Sequence, residues 1–196
     1  SIGWWYRNTD GTYPINKWQL INGKWYHFDR NGYMQVGWLR LGNTWYYLST
    51  DGSMVTDWQT IGGSKYYFMP SGAMSVGWRS IDGTYYYFAS SGAMMTGWVK
   101  SGAYWYYMDP STGRMVTGWQ TIGGSKYYFM PSGEMAVGWR NINGTYYYFA
   151  SSGTMMTGWV QSGSCWYYMD PSTGKMATGF VDIKGVTYYM NASGAM

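Results

Sequence analysis

The chain has 196 residues, a formal net charge of +4 at pH 7 and only 11% charged residues. Aromatic residues make up 22% of it and 29 residues are Gly, which favours many short strands joined by tight turns. This composition argues against an α/β enzyme, a helical bundle and a disordered chain, the last because disordered segments are poor in aromatic residues. We therefore expect an all-β fold.

Some partners and sites are disfavoured by what the sequence lacks. It has no apolar run near the ~20 residues that a bilayer-spanning helix needs, and no Lys/Arg run typical of a nucleic-acid-binding patch. Cys165 is the single cysteine, so the sequence predicts neither an internal disulfide nor a metal cluster. Because the chain opens at Ser1 without Met or a signal peptide, we expect a fragment of a larger protein whose export signal lies elsewhere.

A repeat of 20 or 21 residues runs through the chain and decides its architecture. Its marker is a Trp, usually preceded by Gly, and Phe180 takes the last place. The marker positions are Trp18, Trp38, Trp58, Trp78, Trp98, Trp119, Trp139, Trp159 and Phe180. Residues 58–118 and 119–179 form two 61-residue blocks that differ at ten positions, which indicates a recent duplication.

We interpret residues 1–196 as a single module of about nine units, preceded by a partial one. The predicted units are 3–17, 18–37, 38–57, 58–77, 78–97, 98–118, 119–138, 139–158, 159–179 and 180–196. Each has the pattern of a β-hairpin: a strand from Trp18 meets Asn22-Gly23, and a second strand follows. Asn-Gly is a strong hairpin signal because both turn residues adopt positive φ. A lone hairpin is marginally stable in water, so we expect the units to stack around a continuous core.

The second strand usually carries three consecutive aromatic residues, such as Trp45-Tyr46-Tyr47. Because side chains alternate along a strand, the first and third rings of this triplet share one face and the middle ring points the other way. We expect the middle ring to lie in the core. The first and third rings should then stand at the groove between neighbouring units, since so short a unit cannot bury all of its rings.

The order Gly-Trp, Gly-x-Trp-Tyr-Tyr-Phe, Gly-x-Met and again Gly-Trp resembles the choline-binding repeats of pneumococcal and related Gram-positive surface proteins and autolysins. The resemblance covers essentially the whole chain. It implies a left-handed β-solenoid in a secreted, cell-wall-attached protein, which binds the phosphocholine groups of choline-decorated teichoic and lipoteichoic acids. It implies no cofactor, no membrane insertion and no catalysis by this module. A parent amidase, lysozyme or endo-β-N-acetylglucosaminidase would have its catalytic domain elsewhere.

The resemblance also implies where choline binds. In that family a site takes the Gly-Trp ring and the first triplet ring from one unit, and the third triplet ring and the loop Met from the next. The six sites implied here are Trp18, Trp25, Tyr47 and Met54; Trp38, Trp45, Tyr67 and Met74; Trp78, Tyr85, Tyr107 and Met115; Trp98, Trp105, Tyr128 and Met135; Trp139, Tyr146, Tyr168 and Met176; and Trp159, Trp166, Tyr189 and Met196. A cage of ring faces suits a quaternary ammonium, at ~0.5–2 kcal/mol per ring, which predicts roughly millimolar affinity for one site.

Two units depart from the pattern, because Lys65 and Lys126 stand where an aromatic ring should open the triplet. Each of these cages has lost a wall, and an ammonium group there would repel choline. We expect the two sites to be absent or to recognise something else. Two interpretations stay open: a lysine that is simply solvated on its strand, and a lysine that pairs with the phosphate of teichoic acid.

The main alternative is a solenoid that binds glucan or another oligosaccharide. Glucan-binding repeats of streptococcal glucosyltransferases and the terminal repeats of clostridial toxins look similar, and the toxin repeats typically have Lys where Lys65 and Lys126 stand. The aromatic residue at this place in the other units favours choline. A catalytic function has little support, because His27 replaces a third triplet ring, and Asp109 and Asp170 lie in Asp-Pro-Ser-Thr-Gly turns.

Overall fold

A computed structural model describes residues 3–196, which form eighteen five-residue strands and no helix that could span a membrane. The strands pair in chain order as nine antiparallel hairpins, which confirms the all-β prediction. Hairpins 1 to 9 are β1 Lys17–Ile21 with β2 Lys24–Phe28; β3 Gly37–Leu41 with β4 Thr44–Leu48; β5 Asp57–Ile61 with β6 Ser64–Phe68; β7 Gly77–Ile81 with β8 Thr84–Phe88; β9 Gly97–Ser101 with β10 Tyr104–Met108; β11 Gly118–Ile122 with β12 Ser125–Phe129; β13 Gly138–Ile142 with β14 Thr145–Phe149; β15 Gly158–Ser162 with β16 Cys165–Met169; and β17 Gly179–Ile183 with β18 Val186–Met190.

The chain divides after Met95 into two compact units. The first holds the strand-free segment from Gly3 to Asn16 and hairpins 1 to 4, and the second holds hairpins 5 to 9. Inside each unit, consecutive hairpins pack face to face through their aromatic rings. The contact is repetitive because the sequence is, and the same ring positions meet at each interface within a unit.

Six of the nine hairpin turns adopt the conformation that Asn-Gly predicts, and in hairpins 2, 5 and 8 only the first turn residue, Gly42, Gly102 or Gly163, has positive φ. Asn22 and Gly23 have φ of 49° and 78°. Asp82 and Asn143, which hold the place of Asn22 in other hairpins, have φ of 50° and 52°. Positive φ at both central residues matches the right-handed twist of the flanking strands. The two-residue turn therefore fixes the pairing register of each hairpin.

The most deeply buried side chains are those that directly follow the triplet. In each hairpin this residue is at most 1% exposed: Phe28, Leu48, Phe68, Phe88, Met108, Phe129, Phe149, Met169 and Met190. The sequence predicted that the middle ring of the triplet forms the core. Two middle rings, Tyr86 and Tyr147, are buried, and those of the other hairpins are half-buried. The core of each unit is thus mainly a row of large apolar residues at the end of the second strand.

Each hairpin has two unlike faces. Trp38 pairs across the strands with Tyr47, the third ring of its own triplet, and their ring centroids lie 5.1 Å apart. Strand alternation puts both on one face together with the first ring, Trp45, and this face meets the following hairpin. The middle ring and the residue after the triplet point to the preceding hairpin, since Tyr66 and Phe68 lie 5.0 and 6.0 Å from Trp38.

The loop methionine ties neighbouring hairpins together through the main chain. The Met74 amide donates a hydrogen bond of 2.8 Å to the carbonyl of Trp45 in the preceding hairpin. The same bond, at 2.7–2.9 Å, joins Met34 to Trp4, Met54 to Trp25, Met94 to Lys65, Met135 to Trp105, Met155 to Lys126, Met176 to Tyr146 and Met196 to Trp166. The Met74 side chain also packs against Gly92 of the next loop, so one residue connects three successive turns of the stack.

We expect Gly92→Ala to destabilise the first unit by more than its backbone strain. Gly92 has φ of 83°, and a Cβ added there would lie 2.2 Å from Met74 Sδ. Gly63→Ala is a matched control, because Gly63 has φ of 82° and an added Cβ would meet nothing within 4 Å. Both variants should lose about 1 kcal/mol to the left-handed conformation, and thermal unfolding should give the lower midpoint for Gly92→Ala. Equal midpoints would contradict the packing role of the methionine.

Candidate functional site

A cavity of about 390 Å³ lies between hairpins 2 and 3. It is lined by Trp38, Trp45, Tyr66, Met74, Ser90 and Ser91. The indoles of Trp38 and Trp45 stand edge to face, with centroids 6.1 Å apart and planes at 89°. Two indoles and the Tyr66 ring therefore surround one space, which the loop Met closes on one side. We call such a set of three rings and one Met a cage.

The second unit repeats this arrangement between hairpins 7 and 8, around a larger cavity of about 690 Å³. Trp139, Tyr146, Tyr167 and Met176 line it. The Trp139 and Tyr167 rings are 4.7 Å apart, and Trp139 Nε1 donates a 3.0 Å hydrogen bond to Ser162 Oγ. That bond restrains the plane of the indole.

The third triplet ring, which sequence analysis assigned to these sites, lies at a different interface. Tyr67, predicted to join Trp38, instead contacts Trp58 of its own hairpin at 5.3 Å and packs against hairpin 4. Tyr66 stands at the Trp38 cavity in its place. The reason is strand alternation: of the three triplet rings, only the middle one faces the preceding hairpin and its Gly-Trp indole. Tyr66 and Tyr67 thus point to opposite faces of hairpin 3, as strand alternation predicts.

The other predicted sets that lie within one unit show the same exchange. The Gly-Trp indole contacts the middle ring of the next hairpin in the pairs Trp18–Tyr46 at 5.1 Å, Trp98–Tyr127 at 5.1 Å and Trp159–Tyr188 at 5.0 Å. The third rings stay beside the marker ring of their own hairpin, in the pairs Tyr47–Trp38, Tyr128–Trp119, Tyr168–Trp159 and Tyr189–Phe180.

The first triplet rings and loop Met residues of these sets meet as adjacent parts of one interface. Met54, Met135, Met176 and Met196 bond to the carbonyls of Trp25, Trp105, Tyr146 and Trp166. One predicted set draws on both units: Trp78 and Tyr85 belong to the first, and Tyr107 and Met115 to the second.

The first triplet ring is the open wall of the cage. In Trp25, Trp45, Tyr85, Trp105, Tyr146 and Trp166 it is 37–51% exposed. Rings of this size normally contribute to a core or to an interface, and here they recur at the repeat spacing. Two of them already lie near a cation, since the Arg40 guanidinium is 5.9 Å from the Trp45 centroid and the Lys100 ammonium 6.0 Å from that of Trp105.

Lysine replaces the open wall at two interfaces. Between hairpins 6 and 7 it leaves a cavity of about 320 Å³, lined by Trp119, Gln120, Thr121, Lys126, Tyr147, Met155, Ser172 and Thr173. The Trp119 and Tyr147 rings keep the cage spacing, at 4.9 Å. In the first unit, Trp58 and Tyr86 are likewise 4.9 Å apart beside Lys65.

A cavity of about 420 Å³ that was not predicted from the sequence lies beside hairpin 1. It is lined by Trp4, Trp5, Tyr6, Ile21, Tyr26, Phe28, Met34, Thr50 and Asp51. The Met34 amide bonds to the Trp4 carbonyl at 2.7 Å, so Trp4 holds the place of a first triplet ring. The signal was present in the sequence, because Trp4 opens an aromatic triplet one repeat length before Trp25.

The side chains that could suggest catalysis have structural partners. His27 Nδ1 lies 2.5 Å from Gln35 Oε1, and its ring packs on Trp18 at 5.0 Å. Asp170 Oδ1 accepts hydrogen bonds from the hydroxyls of Ser172 and Thr173, which lower its pKa to about 2. Asp109 has the equivalent bonds in the first block, so the interpretation of these Asp residues as turn formers is confirmed.

Comparison with known proteins identifies these repeats. Models described as "Choline-binding repeat" match residues 15–57, 75–118, 116–140 and 136–179. A model described as "Putative cell wall binding repeat" matches residues 56–74 and 178–196. Together the two models cover residues 15–196. A search of curated protein sequences finds no match.

Solved structures from Streptococcus pneumoniae are similar to this chain. Choline-binding protein F, crystallised with a peptidoglycan analogue, is 36% identical over 88% of this chain and 61% of its own, with a TM-score of 0.78. The choline-binding domain of CbpL is 31% identical over 91% of this chain and 94% of its own, at 0.68. The modular autolysin LytC is 25% identical over 100% of this chain and 52% of its own, at 0.57.

This chain thus spans about three fifths of the choline-binding protein F structure and half of LytC. The residues that the repeat models match are the ones that form the nine hairpins and their aromatic interfaces in residues 3–196. The chain belongs to the family of choline-binding repeat proteins, as a binding module for the cell wall.

Proposed function

We propose that the module binds choline, and the phosphocholine groups of teichoic and lipoteichoic acids, in the cages between consecutive hairpins. The observation that carries the proposal is the recurrence of one cage at five interfaces within the two units. The cages are Trp18, Trp25, Tyr46 and Met54; Trp38, Trp45, Tyr66 and Met74; Trp98, Trp105, Tyr127 and Met135; Trp139, Tyr146, Tyr167 and Met176; and Trp159, Trp166, Tyr188 and Met196.

The chemistry of the cage fits a quaternary ammonium. Such a group has no hydrogen to donate and spreads its charge over methyl groups, so ring faces bind it better than hydrogen-bond acceptors do. The residues that line the Trp38 and Trp139 cavities include no Asp or Glu.

Each cage should bind weakly and the module firmly. Three rings at ~0.5–2 kcal/mol each correspond to a dissociation constant on the order of 1 mM. A polymer that carries many choline groups can occupy several cages at once, and each further contact is then intramolecular. Retention on the wall would therefore depend on the number of intact cages more than on any one of them.

We further propose that the module holds a cell-wall hydrolase or a surface protein at the outer surface of a Gram-positive cell. Two of its structural relatives support this, since choline-binding protein F and the autolysin LytC are longer than this chain and are similar to it over only part of their length. The module itself would supply the attachment and not the chemistry.

A glycan ligand is the second candidate, and one comparison favours it. Choline-binding protein F and LytC were both crystallised with peptidoglycan-like ligands. Flat indole faces can also stack on sugar rings. The recurrent three-ring cage argues for choline at most interfaces, because an enclosed cage suits a small rounded cation better than an extended saccharide.

Isothermal titration separates the two candidates. We expect choline chloride to release heat with at least five sites per chain, and equal concentrations of glucose or sodium chloride to release none. Trp166→Ala should lower the number of sites by one. Heat from an oligosaccharide together with none from choline would overturn the proposal in favour of the glycan.

A further inference from the structure

We infer that the cavity at Lys126 is a separate site, which binds a polyhydroxylated phosphodiester chain of the polyol-phosphate or sugar-phosphate class in place of choline. The inference rests on the proposed function in one respect: the polymer that presents choline to the cages would present its backbone phosphates to this cavity. The cavity keeps the shape of a cage and changes its chemistry.

The ammonium group of Lys126 is available to an anion. Lys126 is exposed, and within residues 3–196 its side chain makes no hydrogen bond or ion pair. Its main chain is held in place, because the Met155 amide donates to its carbonyl at 2.8 Å. The position of the Lys126 backbone is thus set by the stack, while its ammonium group is left without a partner among residues 3–196.

The other polar groups of the cavity suit a ligand with hydroxyls. Ser172 Oγ and Thr173 Oγ1 each donate to Asp170 Oδ1 at 2.7 Å, so their remaining lone pairs can only accept hydrogen bonds. The Thr121 hydroxyl has no hydrogen-bond partner in the part of the chain described and can donate or accept. A phosphodiester between polyols offers both an anion for the lysine and hydroxyl donors for the two loop oxygens.

The apolar side of the cavity completes the match. Trp119 is 40% exposed and is held by Tyr128 and Tyr147 at 5.2 and 4.9 Å, so its indole presents a fixed face for the C–H groups of a polyol or sugar. No Asp or Glu is among the lining residues. Asp170 does not line the cavity, and its Oδ1 accepts four hydrogen bonds from Ser172 and Thr173.

The same replacement stands in the first unit. Lys65 opens the triplet of hairpin 3, Met94 bonds to its carbonyl at 2.8 Å, and Trp58 and Tyr86 lie 4.9 Å apart. The two 61-residue blocks differ at ten positions, and this lysine is not one of them. We therefore substitute Lys65 and Lys126 together in the test.

The test is titration with a synthetic glycerol-phosphate oligomer that carries no choline, at low salt. The parent chain should bind it, and the double variant Lys65→Gln/Lys126→Gln should bind it at least about tenfold more weakly, the loss expected for one charge-assisted hydrogen bond. Lys184→Gln, a lysine in the turn of hairpin 9 that lines none of these cavities, is the matched control and should bind as the parent does. Equal binding by the parent and the double variant would overturn the inference.

Two further ligands define what is recognised. If inorganic phosphate bound as tightly as the oligomer, the site would recognise charge alone. If the parent and the double variant bound maltotriose equally well, the site would recognise a neutral glycan. Either result would overturn the inference. Lys65→Trp/Lys126→Trp should lose the oligomer and gain choline sites. Choline heat is measured separately on each variant, and Lys65→Gln/Lys126→Gln should keep the choline sites of the parent chain, because neither lysine belongs to a choline cage.

Discussion

Phe149→Ala should lower the free energy of unfolding by about 3–5 kcal/mol, the range for a fully buried Phe replaced by Ala. Phe149 is 1% exposed, packs with Ala136, Ile142 and Tyr147, and lies 5.8 Å from the Trp119 ring of the preceding hairpin. Its loss would open a cavity inside one hairpin and at the interface it shares. Urea denaturation without ligand, followed by circular dichroism, measures the change.

Trp166→Ala is the control for this prediction. Trp166 is as large but 41% exposed, so its removal should cost about 1 kcal/mol or less in the ligand-free protein while deleting one choline cage. If Trp166→Ala destabilised the ligand-free chain as much as Phe149→Ala, core and cage would not be separate sets of residues.

Choline itself should stabilise the module strongly. Each cage joins two hairpins and exists only when they are stacked, so a ligand with a dissociation constant on the order of 1 mM adds RT ln(1 + [L]/Kd), or about 1.8 kcal/mol per occupied site at about 20 mM. Because the hairpins within each unit are coupled through nearest neighbours, the gain should appear as a higher unfolding midpoint. Thermal melts with and without choline chloride measure it.

Two comparisons make this result specific. Sodium chloride at the same concentration should leave the unfolding midpoint unchanged. In Trp166→Ala, choline should raise the midpoint by less than in the parent chain, because one site is missing. A gain of equal size with sodium chloride, or one that Trp166→Ala and further cage deletions leave intact, would contradict binding in the cages.

Much of the fold could be predicted because a repeat constrains it many times over. The period of the Gly-Trp pairs and the Asn22-Gly23 turn were enough to predict stacked hairpins, since each repeat supplied the same local signal. The identity of the core was harder. Phe149 and its equivalents stand directly after the triplet, but nothing in the local pattern says that this residue is buried more deeply than Tyr147.

The third wall of the cage could not be predicted from one strand alone. Alternation shows that Tyr66 and Tyr67 point in opposite directions. It does not show which direction leads to the preceding hairpin, because that depends on how the hairpins stack. The contact of Trp38 with Tyr66 decides the question. The cavity at Trp4 was not predicted for a different reason. The segment that contains Trp4 forms no strand, although it carries the same aromatic triplet.

The bond from the loop Met to the carbonyl of the first triplet residue has an evolutionary consequence. Trp45, Tyr146 and Lys126 all accept this bond, at 2.8, 2.9 and 2.8 Å, through main-chain atoms that every amino acid possesses. Selection can therefore alter the side chain at this place without disturbing the scaffold, one copy at a time. Gene duplication then copies the side chain that stands at this place together with its scaffold, as the shared Lys65 and Lys126 of the two 61-residue blocks illustrate.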